Sequence, residues 1–156
     1  MRIAGTIPCS LVNGPGIRYV IFTQGCPHKC FGCQNPETWD AEGGVLVQPS
    51  TIWESIIDHV RTLDGITISG GEPYLQGQEL LYLMNWVRST DLTKNLDIWL
   101  YTGYEWEDIK DHPLTKLVDV VVTGRFHMSE KVTGKLYGSS NQRVIDTKTG
   151  KVLEGY

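Results

Sequence analysis

Four short apolar segments, rich in β-branched and aromatic residues, recur along the chain and each ends at glycine or polar turn residues. They cover residues 17–23, 66–69, 96–101 and 119–122. Apolar runs of this length, bounded by turn residues, are typical of strands that are buried on both faces. The pattern therefore predicts four interior strands of one sheet.

Helical periodicity separates these segments. Residues 51–62 carry apolar side chains at helical spacing, with Thr51 and Glu54 in the positions of an N-terminal capping box. Residues 80–87 trace the apolar face of a second helix, and a short helix is expected from about Glu105. Strands that alternate with helices indicate βα units, whose strands are parallel and whose connections are right-handed.

The expected fold class is therefore α/β. A closed eight-stranded β/α barrel needs about 250 residues, so a chain of 156 residues is expected to form a partial, incomplete β/α barrel with parallel strands. After Arg125 the alternation weakens, and residues 143–153 predict a C-terminal hairpin-like extension. No linker or repeat interrupts the chain, so we expect residues 1–156 to form a single domain.

Three cysteines follow the first predicted strand in a C-x3-C-x2-C spacing: Cys26, Cys30 and Cys33. A tetrahedral metal ion or a cubane iron–sulfur cluster takes four ligands, so three thiolates leave one position open. A zinc site completed by Cys9 or by a histidine is one alternative. An iron–sulfur electron carrier is another, but it needs a fourth protein ligand.

Composition and charge narrow the class of partner. The chain is 40% hydrophobic and 21% charged, with a net charge of −4, which gives no reason to expect nucleic acid or an anionic membrane as a partner. The N-terminus has no apolar stretch of signal-peptide length, and no segment approaches the roughly 20 apolar residues of a membrane span. We expect a cytoplasmic protein whose clustered cysteines bind metal rather than form disulfides.

The turns after the predicted strands are expected to meet at one end of the sheet, where α/β folds bind ligands. These turns carry the cysteine loop, the run Gly70-Gly71-Glu72-Pro73 and the run Thr102-Gly103-Tyr104. Paired glycines allow the backbone to approach a ligand closely. The sequence thus predicts one site built from several loops.

These motifs resemble those of the radical S-adenosylmethionine enzymes, which carry such a cysteine triplet after the first strand and a Gly-Gly-Glu-Pro turn after the second. Further runs are similar to the activating proteins of anaerobic (class III) ribonucleoside-triphosphate reductases. Those runs lie at residues 13–18, 25–35, 38–39, 101–104 and 138–143. The resemblance extends from about residue 9 to residue 146 and implies a single radical S-adenosylmethionine domain.

The resemblance implies that Cys26, Cys30 and Cys33 bind three irons of a 4Fe-4S cluster, while S-adenosylmethionine chelates the fourth. It implies that the reduced cluster cleaves S-adenosylmethionine to methionine and a 5′-deoxyadenosyl radical. That radical would take a hydrogen atom from a glycine of the large subunit of the anaerobic reductase. A one-electron donor such as flavodoxin would supply the electron.

The resemblance also implies contacts to S-adenosylmethionine from three loops. The residues concerned are Gly32, Cys33, Gln34, Gly70, Gly71, Glu72 and Thr102. Gly32 stands where many radical S-adenosylmethionine enzymes have an aromatic residue before the third cysteine, which favours the reductase-activating branch.

Several points stay open at the level of sequence. The resemblance predicts an acidic residue where Thr123 stands, which leaves open any cofactor or cation role tied to that carboxylate, although Asp119 of the same pattern is present. His28 is expected to be solvated, and Asn141 and Arg143 fit either a contact with a partner or cofactor or a simple approach to a hairpin. Alternative functions are activation of another glycyl-radical enzyme such as pyruvate formate-lyase, electron transfer, or a zinc-stabilised binding module.

Overall fold

Seven strands form one sheet in the computed structural model, which describes all residues from Met1 to Tyr156. In chain order they are β1 (Arg2–Ser10), β2 (Arg18–Thr23), β3 (Val45–Leu46), β4 (Gly65–Gly70), β5 (Asp97–Tyr101), β6 (Val120–Thr123) and β7 (Arg143–Asp146). Their order across the sheet is β3-β1-β2-β4-β5-β6-β7. The sheet is open, with β3 and β7 at its edges, and the architecture is mixed α/β.

The four predicted strands form the parallel centre of the sheet, β2, β4, β5 and β6, and their observed ends differ from the predicted ones by at most one residue. Sequence analysis missed β1 and β3, which run antiparallel. β1 contains Gly5 and Pro8, two residue types that are poor in strand interiors. It forms nonetheless because it pairs with β2, and a register irregularity between Ile7 and Ser10 accommodates the proline.

Three helices are present: α1 (Pro49–His59), α2 (Gly77–Ser89) and α3 (Trp106–Ile109). α1 begins before the predicted Thr51, and its N-cap residue Gln48 makes no capping hydrogen bond. The predicted capping box of Thr51 and Glu54 is therefore wrong. Pro49 occupies the first helical position instead. Proline suits this position because its φ is already helical and it has no N–H to leave unpaired. No helix combines the length and the apolar character needed to cross a membrane.

The two faces of the sheet are covered differently. Successive strand side chains point to opposite faces, so Ile98 and Leu100 join the main core with α1 and α2, whereas Trp99 belongs to a smaller cluster on the other face. No helix contributes to that smaller cluster. Residues of the loop between β6 and β7 and of the C-terminus, including Leu136 and Tyr156, pack against it instead.

The amino ends of the parallel strands are tied together by Arg18, which is 1% exposed. Its guanidinium donates to the Asp97 carboxylate at 2.9 Å and to the Thr67 hydroxyl at 3.1 Å. Thr67 in turn donates to the Asn13 carbonyl at 2.6 Å. A buried arginine requires such partners for its donors. These bonds also hold the loop before β2 against the face of the sheet that the helices do not cover.

The predicted C-terminal hairpin is present as a short antiparallel extension. β7 pairs with β6, and Ile145 forms a bridge with Val152 across the intervening turn. The Asp146 carboxylate accepts the amides of Lys148 and Thr149 at 2.9 and 2.8 Å. These bonds stabilise the turn between the two segments.

Candidate functional site

The carboxyl ends of the four parallel strands open into one cavity of about 410 Å³. Each of the four following loops contributes to its wall. The residues of these loops that line the cavity are Cys26, Cys30, Cys33, Gln34, Gly70, Gly71, Thr102, Gly103 and Gly124. The predicted convergence of loops at one end of the sheet is therefore confirmed.

The cysteine loop is held by backbone hydrogen bonds to neighbouring segments. The Cys26 amide donates to the Trp39 carbonyl at 3.1 Å, and the Cys33 amide donates to the Cys30 carbonyl at 3.1 Å. The Cys33 sulfur accepts the Asn35 amide at 3.4 Å. All three cysteines are free and half-buried, so three thiols are available to one cavity.

The arrangement of the thiols distinguishes between kinds of metal site. No group of three or more histidine, cysteine, aspartate or glutamate side chains is arranged to hold a single metal ion. Cys9 is exposed, and its sulfur lies 3.9 Å from the Thr62 hydroxyl, near the amino ends of the parallel strands and away from the cavity. The alternative of a zinc site completed by Cys9 is therefore wrong. Three thiols that share a cavity without converging on one point suit a polynuclear cluster, in which each iron takes its own thiolate.

The Cys26 thiol is neutral at pH 7 when no metal is bound. Burial raises the pKa of this thiol above its ordinary value, and the nearby Glu72 carboxylate acts in the same direction. The backbone amides of His28 and Lys29 oppose this effect but do not cancel it. Metal binding to this cysteine must therefore release a proton.

The Glu72 carboxylate is fully buried and joins three loops. It lies 2.8 Å from His28 Nε2 and accepts the Gly103 amide and the Thr102 hydroxyl, both at 2.9 Å. The Tyr74 amide donates to it at 3.2 Å. An ionised carboxylate only accepts hydrogen bonds, so His28 donates through Nε2. Glu72 does not line the cavity, and its side chain is occupied by these donors.

The prediction that His28 is solvated is wrong. Its side chain is 5% exposed, and its ring packs edge-on against Tyr104 with the centroids 4.8 Å apart. Gly103 leaves room for the ring, because a Cβ at Gly103 would lie 2.3 Å from His28 Cδ2. A single sequence does not reveal this burial, because the partner Glu72 lies 44 positions away.

The paired glycines are required for contact between loops as well as for room in the cavity. Gly70 has a φ of +97°, which side chains disfavour. A Cβ at Gly71 would lie 2.3 Å from the Gly25 carbonyl oxygen. The turn after β4 thus packs directly against the start of the cysteine loop, and the Glu72 amide donates to the same Gly25 carbonyl at 2.8 Å.

Gly32 occupies a different position from the other predicted contacts. It does not line the cavity, and its φ is +75°. A Cβ at Gly32 would lie 2.8 Å from the Met128 sulfur. Packing against Met128 therefore accounts for a glycine at this position.

The loop between β6 and β7 forms a wall of the cavity that sequence analysis missed. Tyr137, Gly138 and Gln142 line it. The Gln142 side chain accepts the Gly138 amide at 2.8 Å and donates to the Gly124 carbonyl at 2.9 Å, which closes the loop on itself. The run at residues 138–143 contains this signal, in Gly138 and Gln142 rather than in Asn141 and Arg143.

Tyr101 supplies a hydroxyl beside this wall and was also missed. Burial raises the pKa of Tyr101 to about 12, so the phenol stays neutral at physiological pH. It donates to the Leu136 carbonyl at 2.8 Å. This bond ties the end of β5 to the loop between β6 and β7.

Asn141 and Arg143 do not line the cavity. Asn141 donates to the Arg125 carbonyl at 2.9 Å. Arg143 pairs with the carboxylates of Glu105 and Glu107, each at 3.2 Å, in a partly exposed cluster. Within the chain both side chains therefore tie together loops around the site.

Thr123 and Asp119 lie at opposite ends of β6. Thr123 is buried, and its hydroxyl donates to the Arg143 carbonyl at 3.4 Å. Asp119 lies at the amino end, where it pairs with Arg88 and Lys148. Asp119 therefore contributes nothing to the cavity, because its carboxylate lies at the far end of the sheet and is engaged there.

Known proteins are similar in sequence to this chain over most of its length. Residues 12–145 match the family described as a 4Fe-4S single cluster domain. The chain is 41% identical to the anaerobic ribonucleoside-triphosphate reductase-activating protein of Enterobacteria phage T4, over 92% of each chain. It is 36% identical to the protein of the same name from Escherichia coli (strain K12), over 88% of this chain and 93% of that one.

A more distant relative belongs to another glycyl-radical system. The pyruvate formate-lyase 1-activating enzyme of Escherichia coli (strain K12) is 30% identical over 93% of this chain, but the match covers only 60% of that longer enzyme. The resemblance derived from the motifs is thus confirmed. The chain belongs to the 4Fe-4S single cluster domain family and, within it, to the anaerobic ribonucleoside-triphosphate reductase-activating proteins.

Proposed function

We propose that this chain activates an anaerobic ribonucleoside-triphosphate reductase by generating a glycyl radical on its large subunit. The observation that carries the proposal is that three free cysteines and the Gly-Gly turn line one cavity at the carboxyl ends of the parallel strands. The identity to activating proteins of similar length supports the choice of partner.

The residues of the cavity fit the cofactors of this chemistry. Cys26, Cys30 and Cys33 supply three thiolates for a 4Fe-4S cluster, and the cavity volume of about 410 Å³ lies within the usual range for a small-molecule site. Held by these cysteines, a reduced cluster would supply the electron for cleavage of S-adenosylmethionine and so the means of taking a hydrogen atom from a glycine of the reductase. The protein orients the reactants and limits access of water.

The predicted contacts to S-adenosylmethionine divide by location. The residues that line the cavity are assigned direct contacts: Cys33, Gln34, Gly70, Gly71 and Thr102. Gly32 adjoins Cys33 and contributes through its backbone. Glu72, whose side chain is withdrawn from the cavity, would hold in place the Gly-Gly turn that borders the cofactor site.

The open sheet suits a protein substrate. We propose that residues 1–156 act as one radical S-adenosylmethionine domain, that the sheet serves as an incomplete barrel, and that the large subunit of the reductase completes the enclosure. A one-electron donor such as flavodoxin supplies the electron, and the protein acts in the cytoplasm. A simple electron carrier would need a fourth protein ligand, and no fourth cysteine lines the cavity.

The test begins with anaerobic reconstitution with iron and sulfide, reduction by dithionite and addition of S-adenosylmethionine. We expect 5′-deoxyadenosine, measured by chromatography, from the native protein and from the matched control Cys9→Ala, because Cys9 lies away from the cavity. Cys26→Ala is expected to reduce the yield to background. Undiminished cleavage by Cys26→Ala would contradict the proposed cluster site.

The partner is tested separately by adding the anaerobic reductase and recording paramagnetic resonance spectra. A glycyl radical on the reductase is the expected result. A radical that forms on pyruvate formate-lyase and not on the reductase would assign the chain to that other system.

A further inference from the structure

A second depression, of about 600 Å³, borders the cysteine loop. Cys30 and His28 line both this depression and the cavity, but neither the Gly-Gly turn nor Thr102 lines the second one. Its remaining wall comes from Lys29, Phe31 and residues 125–129. Cys30 therefore has a second approach that does not pass through the Gly-Gly turn or Thr102.

This depression is cationic although the chain carries a net charge of −4. Lys29 and Arg125 are exposed, and neither forms an ion pair. No aspartate or glutamate lines it. The carboxylate of Glu130, which follows this segment, is paired with His127 at 2.7 Å, so the two cations are available to a partner.

The same surface exposes large apolar side chains. Phe31 is 84% exposed and Met128 is 47% exposed. An apolar centre flanked by uncompensated cations is typical of a protein interface with an acidic partner. We call Lys29, Phe31, Arg125 and Met128 the cationic surface.

The backbone of Lys29 gives an independent sign of function. Lys29 is the only non-glycine residue with a positive φ, at +48°. This conformation costs a side-chain-bearing residue roughly 1–2 kcal/mol, a cost that glycine at this position would avoid. Strained backbone of this kind clusters at functional sites, and here it presents a cation beside the cysteines.

We infer that the cationic surface is the docking site of an acidic, low-potential one-electron carrier protein. The inference rests on the proposed function, which requires both an electron donor and a glycine-bearing partner. The glycine must enter the cavity where S-adenosylmethionine binds, so the approach beside Cys30 is free for the donor. The carrier loses one electron, the cluster gains one, and no atom is transferred.

The test measures how fast a reduced flavodoxin, used as the acidic carrier, reduces the reconstituted cluster in stopped-flow absorbance. The double variant Lys29→Glu/Arg125→Glu is expected to slow this bimolecular reaction by about 10-fold or more at low ionic strength, and added salt should shrink the difference. The matched control Lys116→Glu/Lys151→Glu changes the net charge equally at exposed sites outside this surface. Its rate is expected to stay within about twofold of the native rate.

Lys29→Gly separates docking from folding. Glycine removes the cation and relieves the positive φ, so this variant is expected to melt no lower than the native protein while its reduction by flavodoxin is slowed. Native rates in both Lys29→Gly and the double variant would overturn the inference.

Dithionite distinguishes failure of this inference from failure of the proposed function. With dithionite as the reductant, the double variant is expected to cleave S-adenosylmethionine and activate the reductase at native rates. Loss of reductase activation with dithionite would assign the surface to the reductase and overturn the inference. Absence of cleavage by the native protein would instead overturn the proposed function.

Discussion

The carboxylate of Glu72 fixes the relative positions of three loops yet supplies no side-chain atom to the cavity wall. A buried carboxylate is stable only where donors replace its hydration. Here the donors come from His28 in the cysteine loop, from Tyr74 in its own turn, and from the loop of Thr102 and Gly103. Glu72 therefore acts as a positioning residue for the cysteines.

We predict that Glu72→Ala lowers the free energy of unfolding of the cluster-free protein by about 3 kcal/mol, because it leaves several buried donors without an acceptor. Glu72→Gln should lose less, since its amide oxygen still accepts. Urea denaturation provides the measurement. The exposed pair of His127 and Glu130 offers a control, and Glu130→Ala should cost less than about 1 kcal/mol. Equal losses in the two alanine variants would contradict this role.

Among single residues, the sequence correctly predicts those of the site whose place depends on spacing or backbone geometry. The three cysteines belong to this group through their spacing, and the paired glycines through the backbone freedom that the turn after β4 requires. His28 and Gln142 do not, since their roles depend on bonds across loops that a single sequence does not reveal. Side-chain partners at long separation set the limit of prediction here.

Among the helices and strands, those buried in the interior of the sheet were predicted best from the sequence. β2, β4, β5 and β6 lie in the interior of the sheet, so they read as continuous apolar runs whose ends are clear. β1 is held by pairing rather than by composition, and the edge strand β3 has only two residues. The start of α1 was misplaced because Pro49 was a better indicator than the apparent capping box.

Asp119 joins elements at the amino ends of the strands. Burial alone would raise the pKa of Asp119. The hydrogen bond from the Ile98 amide and the contact with Arg88 on α2 outweigh burial, so the pKa of Asp119 lies below its ordinary value. Lys148 in the C-terminal turn adds a third contact at 3.1 Å. Because the pKa is lower in the folded state, this stabilisation is present above the unfolded pKa of about 3.9 and is lost as the pH falls through the folded pKa.

Asp119→Asn is therefore expected to lower the free energy of unfolding by about 2 kcal/mol at pH 7. The difference from the native protein should narrow as the pH falls below about 4. Urea denaturation at a series of pH values measures this. Asp91, whose side chain is 92% exposed beside Lys94, provides a control, and Asp91→Asn should change stability by less than about 0.5 kcal/mol. A loss in Asp119→Asn that does not depend on pH would argue against the ionised carboxylate.

For the whole molecule, the asymmetry of the sheet determines how partners reach the site. Helices cover one face, whereas loops and the C-terminus cover the other, where the cavity opens. A glycine within a large protein can reach the cavity only from the face that helices leave uncovered. The loop between β6 and β7 and the loop before β2 both border that approach, the latter through Val12 and Asn13.

This geometry predicts where the reductase binds. On addition of the reductase to the reconstituted protein with S-adenosylmethionine, amide hydrogen exchange should slow in residues 132–142 and 11–16, because these segments border the cavity and would be covered by the partner. Exchange in α1 and α2 should not change, since both helices lie behind the sheet, and they serve as the internal control. Protection of α1 and α2 without protection of the two loops would place the reductase on the helical face. The glycine could not then reach the cavity, and the proposed route of radical transfer would fail.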